Sequence, residues 1–178
     1  MTYLKSLQNA AHLPFSIVQV IPGTVIGPSE LTVTASDAAA RMDRMSRALL
    51  FNDSKPRYAF GFVHVDDCAA VHVEALDEDK VPDGRLPDWY VAAASTPSGK
   101  TGSDIWREAG DVVEQNFKQE VESGMVTVGR DNVPVNMPYR VDSNMTESLL
   151  LGGRTFRTLA DCILDVGFWY KKLVAENA

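Results

Sequence analysis

Two rhythms divide this chain: short unbroken runs of β-branched residues, and longer stretches with apolar residues three or four apart. Ser16 to Ile21 is a run of the first kind and stops at Pro22-Gly23. That pattern predicts a strand buried on both faces of a parallel sheet and ending in a turn. Ala35 to Leu50 has the second rhythm, with Ala38, Met42, Met45 and Leu49 on one side and Ser36 or Asp37 as N-cap. Tyr58 to Val65 predicts a second strand, after which Asp66-Asp67 caps a helix carrying Ala69, Val73 and Leu76 on one face. Pro82-Asp83-Gly84 marks a turn, and Trp89 to Ala93 a third strand. Ser103 or Asp104 opens a helix running through Phe117, and a looser stretch with Pro134 and Pro138 follows. Thr158, with Asp161 three residues on, starts a last helix bearing Leu159, Ile163, Val166, Tyr170 and Leu173. Strands alternating with helices predict an α/β fold.

The strand count is too small for a closed architecture of that class. With two or three strands, Val18 and Val20 would present an open sheet edge and an uncovered face. The pattern therefore predicts part of a larger doubly wound sheet. At 178 residues and 45% hydrophobic content, the chain fits one domain able to bury about 70% of its unfolded surface. A net charge of −7 argues against a nucleic-acid partner, which needs a basic patch. No run reaches the apolar length of a membrane span, and Met1 to Lys5 lacks a secretory pattern, so a cytoplasmic location is expected. Cys68 and Cys162 sit in helix-like apolar patterns and are expected to be buried thiols.

The phrase from Ser16 to Pro28, with its Pro22-Gly23-Thr24-Val25-Ile26-Gly27-Pro28, and the phrase Phe62-Val63-His64-Val65-Asp66-Asp67-Cys68-Ala69 together resemble the second half of an extended short-chain dehydrogenase/reductase. The likeness is to the dihydroflavonol-reductase and aldehyde-reductase kind, within the NAD-dependent epimerase/dehydratase family. It implies the C-terminal part of a Rossmann-like doubly wound sheet plus a small substrate-binding lobe, with the N-terminal dinucleotide-binding half missing. Residues 1–34 would end the core, and 35–178 would be mainly substrate lobe, with one core strand returning near 89–93. The resemblance places Pro22, Gly23, Thr24 and Val25 beside the nicotinamide of NADP(H) or NAD(H), and Ser29 to Thr34 along the pocket for a small carbonyl or alcohol substrate. A strand's carboxyl end at a sheet crevice suits that role, and a Pro-Gly turn lets backbone approach a flat ring. In the family Asp67 caps the helix that follows it. The ending, Met145 to Gly152 and then Arg154-Thr155-Phe156-Arg157, is also similar.

The family's catalytic residues are not among these 178. Its reductases pass a proton from a tyrosine whose pKa a lysine four residues later lowers. Four residues after Tyr3 stands Leu7, and Tyr3 to His12 corresponds to the tail of the helix that bears the pair. No Gly-rich dinucleotide loop is present either. The expected reading is the substrate-side half of a carbonyl reductase, inactive alone. A second reading is a non-catalytic module that binds a partner through its exposed sheet edge. A third is a phosphate-loop nucleotide hydrolase, since Ala94 to Thr101 fits the relaxed pattern between a strand and a helix. Lys100 would then reach phosphates and Thr101 magnesium, although Pro97 removes an N–H donor from that loop. His64, Cys68 and His72 recur at four-residue intervals, but a structural zinc site needs four convergent ligands. Trp89, Trp106 and Trp169 read as core or rim aromatics.

Overall fold

The computed structural model describes residues 17–53, 55–56, 61–81, 89–135 and 140–177. Ser16, the stretch from Tyr3 to His12, Tyr58 to Phe60 and the Pro82–Gly84 turn lie outside the described residues. One continuous segment feeds two parallel ladders. Strand β1 (Gln19–Pro22) pairs with β4 (Trp89–Ala92), and β2 (Thr24–Ile26) pairs with β3 (Phe62–His64). Gly23 is the switch between them: its N–H donates to the Ala92 carbonyl at 3.0 Å, and the Thr24 N–H to the Gly61 carbonyl at 2.9 Å. The two backbones pass so closely that a Cβ on Gly23 would lie 2.7 Å from the Gly61 carbonyl carbon. Gly61 itself sits at φ 121°, in the region that favours glycine. The Ala94 N–H, donating to the Phe62 carbonyl at 2.8 Å, ties the ladders together.

All four β1 residues are half-buried, not enclosed on both faces as the run predicts. The reason is topological: among the described residues β1 has β4 on one edge and no strand on the other.

The stretch from Ala35 to Leu50 is two helices, not one. Thr34, rather than Ser36 or Asp37, caps α1 (Ala35–Arg41), accepting from the Asp37 N–H. The chain breaks at Met42 because Asp43 offers a second cap. Its carboxylate accepts from the Met45 and Ser46 N–H groups at 2.8 and 3.0 Å and starts α2 (Arg44–Phe51). Met42, Met45 and Leu49 still reach the core. In α3 (Val65–Glu74) the N-cap is His64, whose Nδ1 accepts from the Asp66 N–H at 3.2 Å. The buried face of α3 is Asp67, Cys68 and Val71, continuing to Ala75. Ala69, Val73 and Leu76 are exposed, the reverse of the face expected from their spacing.

The remaining helices are α4 (Gly102–Asn116), α5 (Lys118–Glu122), α6 (Asn144–Leu149) and α7 (Leu159–Glu176). Capping boxes open both long ones. Thr158 with Asp161 does so as expected, and Thr101 with Asp104 takes the place of a start at Ser103 or Asp104. The core lies where α2, α4 and α7 meet the strands, around Met45, Leu49, Trp106, Val113, Ile163 and Val166. Trp106 is fully buried, and its Nε1–H donates to the Gly129 carbonyl at 3.0 Å. Both cysteines are buried thiols, and burial, followed by nearby carboxylates, pushes the Cys162 thiol far above its ordinary range.

Candidate functional site

The site begins at the junction between β1 and β2. Pro22, Gly23 and Thr24 are half-buried, and Ile26 is fully buried. Val25 between them is 42% exposed. Thr24 directs its N–H toward β3, and successive residues of a strand point their backbone groups to opposite sides. Val25 therefore turns its own N–H and C=O away from β3. The junction offers an apolar side chain and a turned backbone on a framework held by ladders on both sides.

The chain leaves β2 through Gly27, where a Cβ would fall 2.4 Å from Val65 Cγ1. This contact holds the start of the next loop against α3. In that loop Ser29 is half-buried and its carbonyl accepts from the Thr32 N–H at 3.2 Å. Thr32 is buried, whereas Leu31 is 92% exposed and Val33 is also exposed. The loop is thus anchored by polar backbone contacts and presents apolar tips.

An ion cluster stabilises the frame behind the junction. Asp67 does not cap α3; its buried carboxylate reaches across the sequence to accept from Arg154 Nη1 at 2.7 Å and the Arg157 N–H at 3.0 Å. Burial raises the Asp67 carboxyl pKa. The hydrogen bonds from Arg157 and Arg154, with the charges of both arginines, outweigh that and hold it below the ordinary aspartate value. The Arg157 guanidinium also touches Asp66, at 3.1 Å, and His64 Nδ1. His64 Nε2 lies 3.1 Å from the Asp165 carboxylate but off the line a hydrogen bond needs. His64 and Asp66 therefore join α3 to α7. Nothing in the sequence marks this cluster, because the partners of Asp67 are 87 and 90 residues away.

A cavity of about 680 Å³ lies elsewhere, bordered by the loop from Ala94 to Ser98, by Arg140 to Asp142, and by Thr155 to Leu159. None of Pro22, Gly23, Thr24, Val25 and Ser29 lines it. Its loop is the phosphate-loop-like stretch, and the two side chains that reading needs are engaged. Lys100 Nζ meets both Glu108 carboxylate oxygens at 2.7 and 2.8 Å, and Thr101 Oγ1 donates to Asp104 at 2.7 Å within the capping box. Cys68 Sγ lies 3.8 Å from His72 Nδ1, but His64 does not join them, and no three such groups converge among the described residues. His72 Nδ1 sits 2.8 Å from the Cys68 carbonyl on its own helix, and His64 faces Asp66, Arg157 and Asp165.

No family model matches the chain. It is 28% identical over 163 residues to an NAD-dependent epimerase/dehydratase of Gibberella moniliformis, a stretch covering 87% of this chain and 41% of that protein. A protein of the same description from Alternaria alternata is 26% identical over 164 residues, covering 90% of this chain and 45% of the relative. The chain thus spans less than half the length of the curated relatives it matches. Among solved structures it is similar to the yeast methylglyoxal/isovaleraldehyde reductase complexed with NADPH, with a TM-score of 0.59 and 17% identity over 98% of this chain and 52% of that one. Gre2 of Candida albicans, in complex with NADPH, gives a TM-score of 0.60 and 16% identity over 96% and 48% of the two chains. The fold is that of these reductases, and the chain accounts for about half of it.

Proposed function

The chain belongs with the extended short-chain dehydrogenase/reductases of the NAD-dependent epimerase/dehydratase kind, and on that footing we propose that it forms the substrate-side part of an NAD(P)H-dependent carbonyl reductase. The observation that carries this reading is Val25. It is an apolar side chain left exposed in a strand, beside a backbone crossing tight enough to require glycine at position 23. Exposed valine in a strand this well anchored suits a flat, uncharged ring. Pro22 to Thr24 hold the ring's edge against backbone, and Val25 packs on it and excludes water. Ser29 and the apolar tips Leu31 and Val33 border the space for an aldehyde or ketone. The reduced nicotinamide supplies the hydride when bound. The proton donor and the lysine that tunes it are not among these 178 residues, so the chain by itself turns nothing over and works when a segment carrying them completes the sheet.

The test joins this chain to the part of the Gibberella moniliformis relative outside the matched stretch and follows NADPH fluorescence and oxidation with a small aldehyde. Saturable binding and turnover are expected. Val25→Asp should weaken NADPH binding at least tenfold, about 1.4 kcal/mol, by putting a charge against the ring. A folded Val25→Asp protein that binds NADPH as tightly as its parent would overturn the assignment.

A further inference from the structure

The cavity of about 680 Å³ between the loop after β4 and the start of α7 has no part in the reductase reading, since none of Pro22 to Val25 and Ser29 borders it. Its size falls in the range of small-molecule sites. Its walls come from stretches far apart in the chain, and hydrogen bonds fix them to one another. The Ala94 N–H donates to the Phe62 carbonyl at 2.8 Å, and the Thr96 N–H to the Val141 carbonyl at 2.9 Å. Ser143 Oγ donates to the Ala93 carbonyl. Phe62, Val141, Phe156 and Leu159, all buried, give the cavity an apolar lining. The hollow is held open by the fold itself.

Most of its polar groups already have partners. Lys100 holds both oxygens of Glu108. Glu147 Oε1 accepts from the Phe156 N–H and Asp142 Oδ1 from the Asn144 N–H, both at 3.1 Å, while Arg157 meets Asp66 and His64. What remains open is a set of donors. Ser95 Oγ accepts from the Ser143 N–H at 2.9 Å and Thr96 Oγ1 from the Val141 N–H at 3.0 Å. Each hydroxyl therefore keeps its own hydrogen to donate. Arg140, also on the cavity wall, has no hydrogen-bond or ion-pair partner among the described residues. It precedes Val141, which Thr96 bonds through both its backbone and its side chain, so the three donors share one wall.

Two hydroxyls and a guanidinium beside an apolar lining suit a ligand with a charged acceptor at one end and hydrocarbon at the other. The charge it can carry is limited. Asp142 and Glu147 border the same cavity, so Arg140 can balance one negative charge, whereas a phosphate dianion would face both acids. We propose that this cavity binds a small monocarboxylic acid with a hydrocarbon body. The carboxylate accepts from Ser95 Oγ, Thr96 Oγ1 and the Arg140 guanidinium, a charge-assisted set, and the body lies on Phe62, Phe156 and Leu159. This site is separate from the β1–β2 junction and does not depend on the reductase reading.

Isothermal titration of the 178-residue chain with hexanoate and with phenylacetate reads the affinity, and circular dichroism checks that each variant keeps the parent's melting temperature. Saturable binding of at least one acid is expected, with its methyl ester at least tenfold weaker and inorganic phosphate unable to compete. Arg140→Gln, at an exposed position, should weaken binding at least tenfold. Thr155→Trp, which fills the cavity from its exposed rim, should abolish it. Val25→Asp should leave it unchanged. No saturable binding of either acid, equal binding of acid and ester, competition by phosphate, or a folded Arg140→Gln or Thr155→Trp chain that binds like its parent would each overturn the proposal. Acid binding lost in Val25→Asp but kept in Arg140→Gln would move the ligand to the β1–β2 junction, overturning the cavity site and leaving the reductase reading in place.

Discussion

Around Trp106 the apolar surface is enclosed; around β1 and α3 part of it is exposed. Trp106 is enclosed by α2, α4 and α7, its indole N–H has a carbonyl partner, and Gly167 makes room for the Phe117 ring, which a Cβ would meet at 2.5 Å. Elsewhere β1 is half-buried throughout, Val25 is partly exposed, and Val73 on α3 and Leu76 just past its end are exposed. Both regions are built from the same kinds of residue, so composition does not separate them. What differs is whether the apolar surface has been met. The first region holds the chain together, and the second leaves apolar surface exposed.

That contrast is sharpest in stability. Trp106→Ala should cost about 3–5 kcal/mol, from the lost burial and cavity and the orphaned Gly129 carbonyl. Chemical denaturation followed by circular dichroism measures it, and a cost below about 1 kcal/mol would mean the core lies elsewhere.

Asp67 tests the frame between the two regions. Its carboxyl pKa is depressed in the folded protein, so its contribution is fully present above the unfolded value of about 3.9 and is lost as pH falls through the lower folded value. Asp67→Asn should cost about 2 kcal/mol at neutral pH, chiefly in hydrogen bonds to charged groups, because both arginines are more than a third exposed and screened. The melting temperature of the variant should depend less on pH below about 4. An unchanged acid limb would show that other carboxylates set it.

The smallest effect is the most pointed. Val73→Asn should change the stability of the isolated chain by no more than about 0.5 kcal/mol. A loss of 2 kcal/mol would show that this face is already packed, and the distinction between the two regions would fail.

Local chemistry was legible in the amino-acid sequence. The strand that stops at Pro22-Gly23, the Thr158–Asp161 capping box and the strand at Trp89 are each decided within a few residues, by steric limits or by a side chain bonding its own backbone. The two-phrase resemblance carried the family in the same way, as short motifs read in place. Three features were not legible. The break at Met42 needed Asp43 to win as a cap against the continuing apolar rhythm. The role of Asp67 needed arginines 87 and 90 residues away. The orientation of α3 needed the sheet itself: a helix apolar on two sides has no internal reason to bury Val71 rather than Val73, and only packing against β1 to β4 chooses. The sequence by itself determined the kinds and order of the elements and a few of their ends, such as Pro22-Gly23 and Thr158, because those turns and caps are local. The tertiary structure alone decided which faces are covered and which stay open, because burial is a property of neighbours.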